Sequence, residues 1–115
     1  MSGTSFSDKI NVLVVSGRAD VRQKIIDGLC GMDCEVFAVP DGEIALAQIK
    51  QRRLDAAVIS VDLSGINGSQ LTRAICRIHP HVPIIVLSQR PDPGQVAQAL
   101  SSGACDLVSE LTTAE

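Results

Sequence analysis

Short apolar runs alternate along the chain with stretches in which apolar residues recur every third or fourth position. The runs are rich in valine and isoleucine, which suit a buried sheet and predict strands. The recurring pattern predicts helices that turn one apolar face inward. The predicted strands are 10–15, 35–39, 56–61, 82–87 and 106–109.

Polar residues, glycines and prolines mark the ends of four predicted helices. The first helix is expected to start near Asp20, the second at Asp41-Gly42 and the third at Gly68-Ser69, while Asp92 is expected to cap the fourth. Pro80 ends the third helix, because a residue before proline disfavours the α region, and Gly103 ends the fourth. The apolar residues expected to face the core are Val21, Ile25, Leu29, Ala45, Leu46, Ile49, Leu71, Ala74, Ile75, Ile78, Val96, Ala99 and Leu100.

Strands that alternate with helices predict an α/β domain with a three-layer, doubly wound, parallel five-stranded sheet. The third strand is apolar apart from Ser60 and is expected in the middle of the sheet. Ligand sites in such sheets lie at the carboxyl ends of the strands. Those ends are predicted at 16–17, 60–62, 88–89 and 109–110.

The composition narrows the class of protein. A length of 115 residues predicts one domain over 1–115, with a polar N-terminal tail at 1–8. The net charge of −3 argues against a nucleic-acid surface, because phosphate binding depends on clustered Lys and Arg. No apolar stretch approaches the ~20 residues that span a bilayer, and the tail lacks the apolar core of a signal peptide. We therefore expect a cytoplasmic protein without membrane contact.

The four cysteines do not show the paired spacing that typically holds zinc. They are Cys30, Cys34, Cys76 and Cys105. Reduced thiols and no metal site are the expectation for such a pattern.

The segment 54–68 reads L-D-A-A-V-I-S-V-D-L-S-G-I-N-G. It resembles the third strand and following loop of response-regulator receiver domains, whose usual pattern is P-D-L-V-L-L-D-L-M-M-P-G-M-D-G. Aligning Asp55, Gly65 and Gly68 puts Ser60 where that family carries the aspartate that accepts a phosphoryl group. The resemblance thus implies a receiver scaffold with a changed reactive residue.

The resemblance extends from Val12 to Leu111 and implies the flavodoxin-like, CheY-like fold, with a truncated fifth helix. The segment V-S-G-R-A-D-V-R from Val15 resembles the family's V-D-D-x-P-x-x-R. Ser16 and Gly17 then stand where the family has the two acidic residues that hold magnesium. Since a hard dication needs several oxygen ligands, magnesium binding is expected to be weak or absent.

The last two predicted strands carry further landmarks of the family. The segment V-P-I-I-V-L-S resembles I-P-I-I-V-L-T and puts Ser88 at the switch hydroxyl. The segment G-A-C-D-L-V-S-E-L resembles G-A-D-D-Y-L-x-K-P, which puts Leu107 at the switch aromatic and Glu110 at the lysine that binds phosphoryl oxygens. Because Leu111 replaces the family's proline, the peptide bond before it is predicted to be trans.

These replacements predict a degenerate receiver that acts as a phosphorylation-independent regulatory module and not as an enzyme. The altered pocket comprises Ser16, Gly17, Ser60, Ser88 and Glu110. A second interpretation is a phosphorelay receiver that uses Asp62 or Ser60, although Asp62 lies ~6.6 Å further along the strand direction. A third is a small-ligand sensor in which the three serines line a neutral hydroxyl pocket.

The expected partner surface is the face formed by the fourth helix and the fifth strand, where Gln95, Gln98 and Ser101 are predicted to be exposed. The chain is interpreted as the N-terminal part of a longer regulator in two-component signalling, such as a regulator of transcription, with an output domain as its partner. A missing fifth helix would leave apolar surface near Val12 and Val14. A second copy of the chain could cover that surface in a homodimer.

Overall fold

The computed structural model describes residues 9–110 and contains five strands and four helices within that range. Strands and helices alternate, as the sequence pattern predicts. The elements are β1 (Ile10–Val15), α1 (Ala19–Leu29), β2 (Cys34–Val39), α2 (Gly42–Ile49), β3 (Ala56–Ser60), α3 (Gly68–Ile78), β4 (Ile84–Ser88), α4 (Pro93–Ser102) and β5 (Asp106–Ser109).

The sheet is parallel throughout and has the strand order β2-β1-β3-β4-β5. The chain moves towards one edge from β1 to β2 and towards the other edge thereafter. Right-handed crossovers therefore place α1 on one face and α2, α3 and α4 on the other. This arrangement confirms the predicted three-layer, doubly wound α/β fold, with β3 in the middle of the sheet.

The strands begin and end close to their predicted positions, with one clear exception. The sequence pattern starts the fourth strand at Val82, but β4 begins at Ile84. Pro83 has no N–H to donate to a neighbouring strand, so the regular hydrogen-bond ladder starts after it. β3 ends at Ser60, one residue before its predicted end, and the chain then turns into the loop before α3.

Side chains at the N-caps fix where three helices begin. The Asp41, Asn67 and Asp92 side chains accept hydrogen bonds from the third backbone amides of α2, α3 and α4 at 2.9, 2.9 and 2.8 Å. Asn67 and Gln70 form a reciprocal capping box, which satisfies two amides at the start of α3. The sequence pattern predicts the Asp92 cap but not the Asn67 box. These caps fix the helix starts at the carboxyl-terminal edge of the sheet, where the strands end.

The main core lies between the sheet and α2, α3 and α4, the three helices that cover one of its faces. Its buried residues are Leu13, Val15, Val39, Ala45, Ile49, Leu54, Ala57, Ile59, Leu71, Ile75, Ile84, Val86, Ala99 and Ala104.

Two predictions of inward-facing residues are wrong, because Ile78 is 42% and Leu100 is 48% exposed. Ile78 is the last residue of α3 and lines an open groove with Leu54 and Val82, where no further turn of helix covers it. Leu100 lies about 100° around α4 from Ala99, the residue that does face the core.

The other face of the sheet carries α1, which packs against β1 and β2. Val12 and Val14 are themselves buried, at 7% and 0% exposed. The cause is α1, since it lies over the β1 side of this face. The partly exposed apolar residues of this face include Val58, which pairs with Val14, and Ile85 and Val108 further along the sheet.

None of the helices in the described range is long and apolar enough to cross a membrane. All four cysteines are free thiols. The N-terminal tail at 1–8 and the Glu110–Leu111 bond, which is predicted to be trans, lie outside the described residues.

Candidate functional site

Four strands end side by side at the carboxyl-terminal edge of the sheet, because β1, β3, β4 and β5 are parallel neighbours in that order. Ser60 ends β3 and Ser88 ends β4, while Ser16 and Glu110 directly follow β1 and β5. The fold therefore brings the sequence-predicted Ser16, Ser60, Ser88 and Glu110 to one edge, with Gly17 beside them.

Ser16 is a buried anchor for the turn between β1 and α1. Its side-chain oxygen accepts a hydrogen bond from the Arg18 backbone amide at 3.2 Å. Its carbonyl oxygen accepts a second from the Arg22 guanidinium at 2.7 Å, and its amide donates to the Val39 carbonyl at 3.1 Å. With these contacts Ser16 holds the loop in place and contributes no charge to the pocket.

Gly17 is exposed, and the space around it is open. A β-carbon added there would have the Pro40 carbonyl oxygen, at 3.8 Å, as its nearest heavy-atom neighbour. This is an ordinary van der Waals distance, so the backbone position accepts a side chain. Nothing in the local packing demands glycine at this point.

Ser60 is 3% exposed, and its hydroxyl oxygen has no hydrogen-bond partner within residues 9–110. The start of α3 comes very close to it. A β-carbon on Gly68 would lie 2.8 Å from the Ser60 carbonyl oxygen and 3.1 Å from the Val61 α-carbon. Because backbone atoms cannot move aside cheaply, this approach of α3 to β3 requires glycine.

Ser88 ties β4 to the first turns of α4. Its hydroxyl donates a 2.7 Å hydrogen bond to the Gln95 side-chain oxygen. Gln95 is half-buried, so the prediction that it is exposed on α4 is wrong, whereas Gln98 and Ser101 are exposed as predicted. The cause is this hydrogen bond, which turns Gln95 towards the strand ends.

Glu110 brings a carboxylate to this edge, and its side chain is only 10% exposed. One carboxylate oxygen lies 3.5 Å from the guanidinium of Arg18, in the loop after β1. Arg18 also donates hydrogen bonds of 2.9 and 3.3 Å to the carboxylate of Asp20. The hydrogen bond from Arg18 lowers the pKa of the Asp20 carboxyl below its usual value.

Sequence reasoning missed Arg18 as a member of the site. It lies outside the positions that define the family pattern, and its partner Glu110 is far away in the chain. The available signal was a cation two residues after Ser16, in a loop predicted to border the site.

The other two candidate residues lie outside the strand ends that carry Ser16, Ser60 and Ser88. Asp62 is exposed in the loop after β3, and its side chain forms no ion pair with the rest of the described chain. Leu107 is half-buried on β5 and packs against the main core. An aliphatic side chain there has no polar tip that could alternate between two hydrogen-bonded positions.

Comparison with known proteins identifies a family and relatives to which this sequence is similar. Residues 12–111 match the family described as response regulator receiver domain, the same range over which the sequence resembles receivers. Transcriptional regulatory protein CseB of Streptomyces coelicolor is 35% identical over 104 residues, which cover 90% of this chain and 44% of CseB. DNA-binding response regulator MtrA of Mycobacterium tuberculosis is 30% identical over 97 residues, covering 84% and 42%. The chain therefore spans less than half the length of these two relatives.

A solved structure shows the same fold. The chemotaxis response regulator CheY4 of Vibrio cholerae superimposes with a TM-score of 0.82 at 23% identity, covering 89% of this chain and 87% of that one. The likeness supports the parallel five-stranded, CheY-like arrangement described above.

Proposed function

Because the chain belongs to the response regulator receiver domain family, we propose that it is a receiver-like signalling module whose output does not depend on phosphorylation. Receiver domains transmit signals and are not themselves the catalytic parts of regulators. The proposal concerns how this receiver works: it retains the scaffold and the partner surface, and it lacks the phosphoacceptor aspartate.

The observation that carries this proposal is the buried carboxylate of Glu110 at the strand ends. It occupies the position of the lysine that binds phosphoryl oxygens in receivers, and like charges at such short range repel. Ser60 occupies the position of the phosphoacceptor, and a serine hydroxyl is a weak nucleophile unless a neighbouring base activates it. Its hydroxyl has no such base within hydrogen-bond distance in the described part of the chain.

The residues present also do not fit a magnesium ion. In receivers the ion is held by an acidic pair at the end of the first strand, where this chain has Ser16 and Gly17. Within residues 9–110, no group of three or more His, Cys, Asp or Glu side chains could hold a metal ion. Mg²⁺ demands near-octahedral oxygen coordination, usually with one or two carboxylates. Ser16 and Gly17 supply no carboxylate, so this pocket has too few suitable oxygen ligands for the ion.

The phosphorelay interpretation has weaker support. Asp62 is exposed in the loop after β3, away from the strand end that Ser60 occupies. A carboxylate there lacks the acidic pair and the lysine that would position a metal ion and a phosphoryl group. The small-ligand interpretation rests on the unpartnered hydroxyl of Ser60, which one bound water would satisfy equally well.

We place the partner contact on the face of α4 and β5. Residues 93–102 include no charged side chain, and Gln98, Leu100 and Ser101 are exposed along the helix. An uncharged helix with an exposed leucine suits a contact with a protein surface better than one with nucleic acid. The hydrogen bond from Ser88 to Gln95 links this helix to the altered pocket.

The partner in this proposal is an output domain of a longer cytoplasmic regulator. Its support is the length of CseB and MtrA, of which the chain spans 44% and 42%. These relatives are named as a transcriptional regulator and a DNA-binding regulator. A second copy of the chain, seated over the partly exposed Val58, Ile85 and Val108, is the homodimer that the same proposal allows.

A magnesium titration followed by two-dimensional NMR tests the proposed loss of the metal site. We expect the amide signals of Ser16, Ser60 and Ser88 to stay in place up to about 10 mM Mg²⁺, because no carboxylate pair is available to bind the ion. The combined variant Ser16→Asp and Gly17→Asp is the matched control and should shift in the same range. Saturable shifts of the unaltered protein at low millimolar Mg²⁺ would contradict the proposal.

A further inference from the structure

Arg18 contacts three parts of the fold beside Ser16 and Glu110, two residues of the altered pocket. Its guanidinium lies 3.5 Å from Glu110 after β5 and 2.9 Å from Asp20 in the first turn of α1. Its backbone amide donates to the Ser16 side chain after β1. One residue thus connects the end of β1, the start of α1 and the end of β5.

The low exposure of the Glu110 side chain makes its contact with Arg18 energetically important. A carboxylate that is only 10% exposed loses most of its hydration, and it remains charged at low cost only when a cation or hydrogen-bond donors replace the water. Arg18 supplies the cation, since a guanidinium stays protonated, and its 3.5 Å contact with Glu110 is an ion pair and not a hydrogen bond. It is 51% exposed, so it reaches Glu110 without being buried itself.

We infer that Arg18 is the resident cation of the altered pocket, a positioning residue that permanently holds the end of β5 against the loop after β1. It supplies the positive charge that a bound metal ion and a lysine supply in receivers. The sign of the pair is reversed relative to the family, with the anion after β5 and the cation after β1. The inference rests on the proposed function, because a module without phosphorylation needs a fixed arrangement of these strand ends.

A competition between two carboxylates gives the inference a distinctive signature. Asp20 and Glu110 share one guanidinium, so removing the charge of Asp20 should strengthen the contact with Glu110. Removing the charge of Glu110 should release the end of β5. A general loss of stability would speed the exchange of the β5 amides in both variants, and would not slow it in one and speed it in the other.

Amide hydrogen exchange of the full chain, measured by NMR, tests the inference. Arg18→Ala and Glu110→Gln should each speed the exchange of the β5 amides by roughly three- to tenfold, as expected when one partly exposed ion pair is lost. Asp20→Asn should slow the same amides. The reversed pair, Arg18→Glu with Glu110→Arg, is made in the Asp20→Asn background so that two carboxylates do not meet at positions 18 and 20. It should return exchange to within about twofold of Asp20→Asn alone.

Arg90→Ala is the matched control, because Arg90 is an exposed arginine at the same edge of the sheet, in the loop between β4 and α4. It should leave β5 exchange unchanged. The inference is overturned if Arg18→Ala behaves like Arg90→Ala, or if the reversed pair exchanges as fast as the single variants. A phosphoryl adduct on the unaltered protein would instead overturn the proposed function, so the two failures are distinguishable.

Discussion

The combined variant Ser16→Asp, Gly17→Asp, Ser60→Asp and Glu110→Lys is expected to take up one phosphoryl group from acetyl phosphate in the presence of Mg²⁺. The first two changes supply carboxylates for the metal ion, and the third supplies a nucleophile. An Asp oxygen then attacks phosphorus, the bond to the acetyl oxygen breaks, and acetate leaves. Lysine at the end of β5 stabilises the transferred oxygens by charge.

The packing around Gly17 is compatible with the change. Gly17 has open space for a side chain, with its nearest neighbour at 3.8 Å from an added β-carbon. Glu110→Lys also removes the carboxylate that would repel the phosphoryl group. Intact-mass spectrometry should show conversion of most of the variant, against none of the unaltered chain.

Ser60→Asp alone is the matched control for this restoration. It adds the nucleophile but leaves the pocket without metal ligands and with Glu110 in place, so no adduct is expected. An adduct on the single variant as large as that on the combined variant would show that metal and lysine positions do not limit the chemistry. Failure of a folded combined variant to react would show that the scaffold has changed beyond these four positions.

Leu71→Ala should lower the free energy of unfolding by about 3 kcal/mol, within the range of about 2–5 kcal/mol seen for buried leucines. Leu71 is fully buried on α3, in the main core between that helix and the sheet. Truncation removes apolar contacts and leaves a cavity that the surrounding core residues cannot fill completely.

The comparison variant is Leu100→Ala on α4, because it makes the same chemical change at a residue that is 48% exposed. It should cost less than about 1 kcal/mol. Urea unfolding of both variants provides the measurement. Equal losses would mean that the face of α4 bearing Leu100 is packed in solution, which would contradict its assignment as free surface.

The strands were the part of the fold most directly predictable from sequence. Runs such as Ile10–Val15 are short, largely apolar and rich in β-branched residues, which favours a buried parallel strand. Family spacing then placed Ser16, Ser60, Ser88 and Glu110 at successive strand ends, and the parallel order of the strands brings them to one edge.

Features that depend on where an element stops, or on contacts distant in the chain, were not predictable. Helical periodicity predicts that Ile78 faces inward, but it cannot show that α3 ends there over an open groove. The helical pattern predicts Gln95 as a surface residue, because it cannot show the hydrogen bond that Ser88 donates to it. The Arg18–Glu110 pair depends on two side chains that meet only after β1 and β5 are placed in the same sheet.

The most direct test of the central claim is incubation of the unaltered protein with acetyl phosphate and Mg²⁺, followed at once by intact-mass spectrometry. The combined variant described above serves as the positive control in the same run. We predict that the mass of the unaltered chain does not change, because Ser60 is not activated and Glu110 repels the incoming group. A phosphoryl adduct on the unaltered chain, whether at Ser60 or at Asp62, would contradict the account.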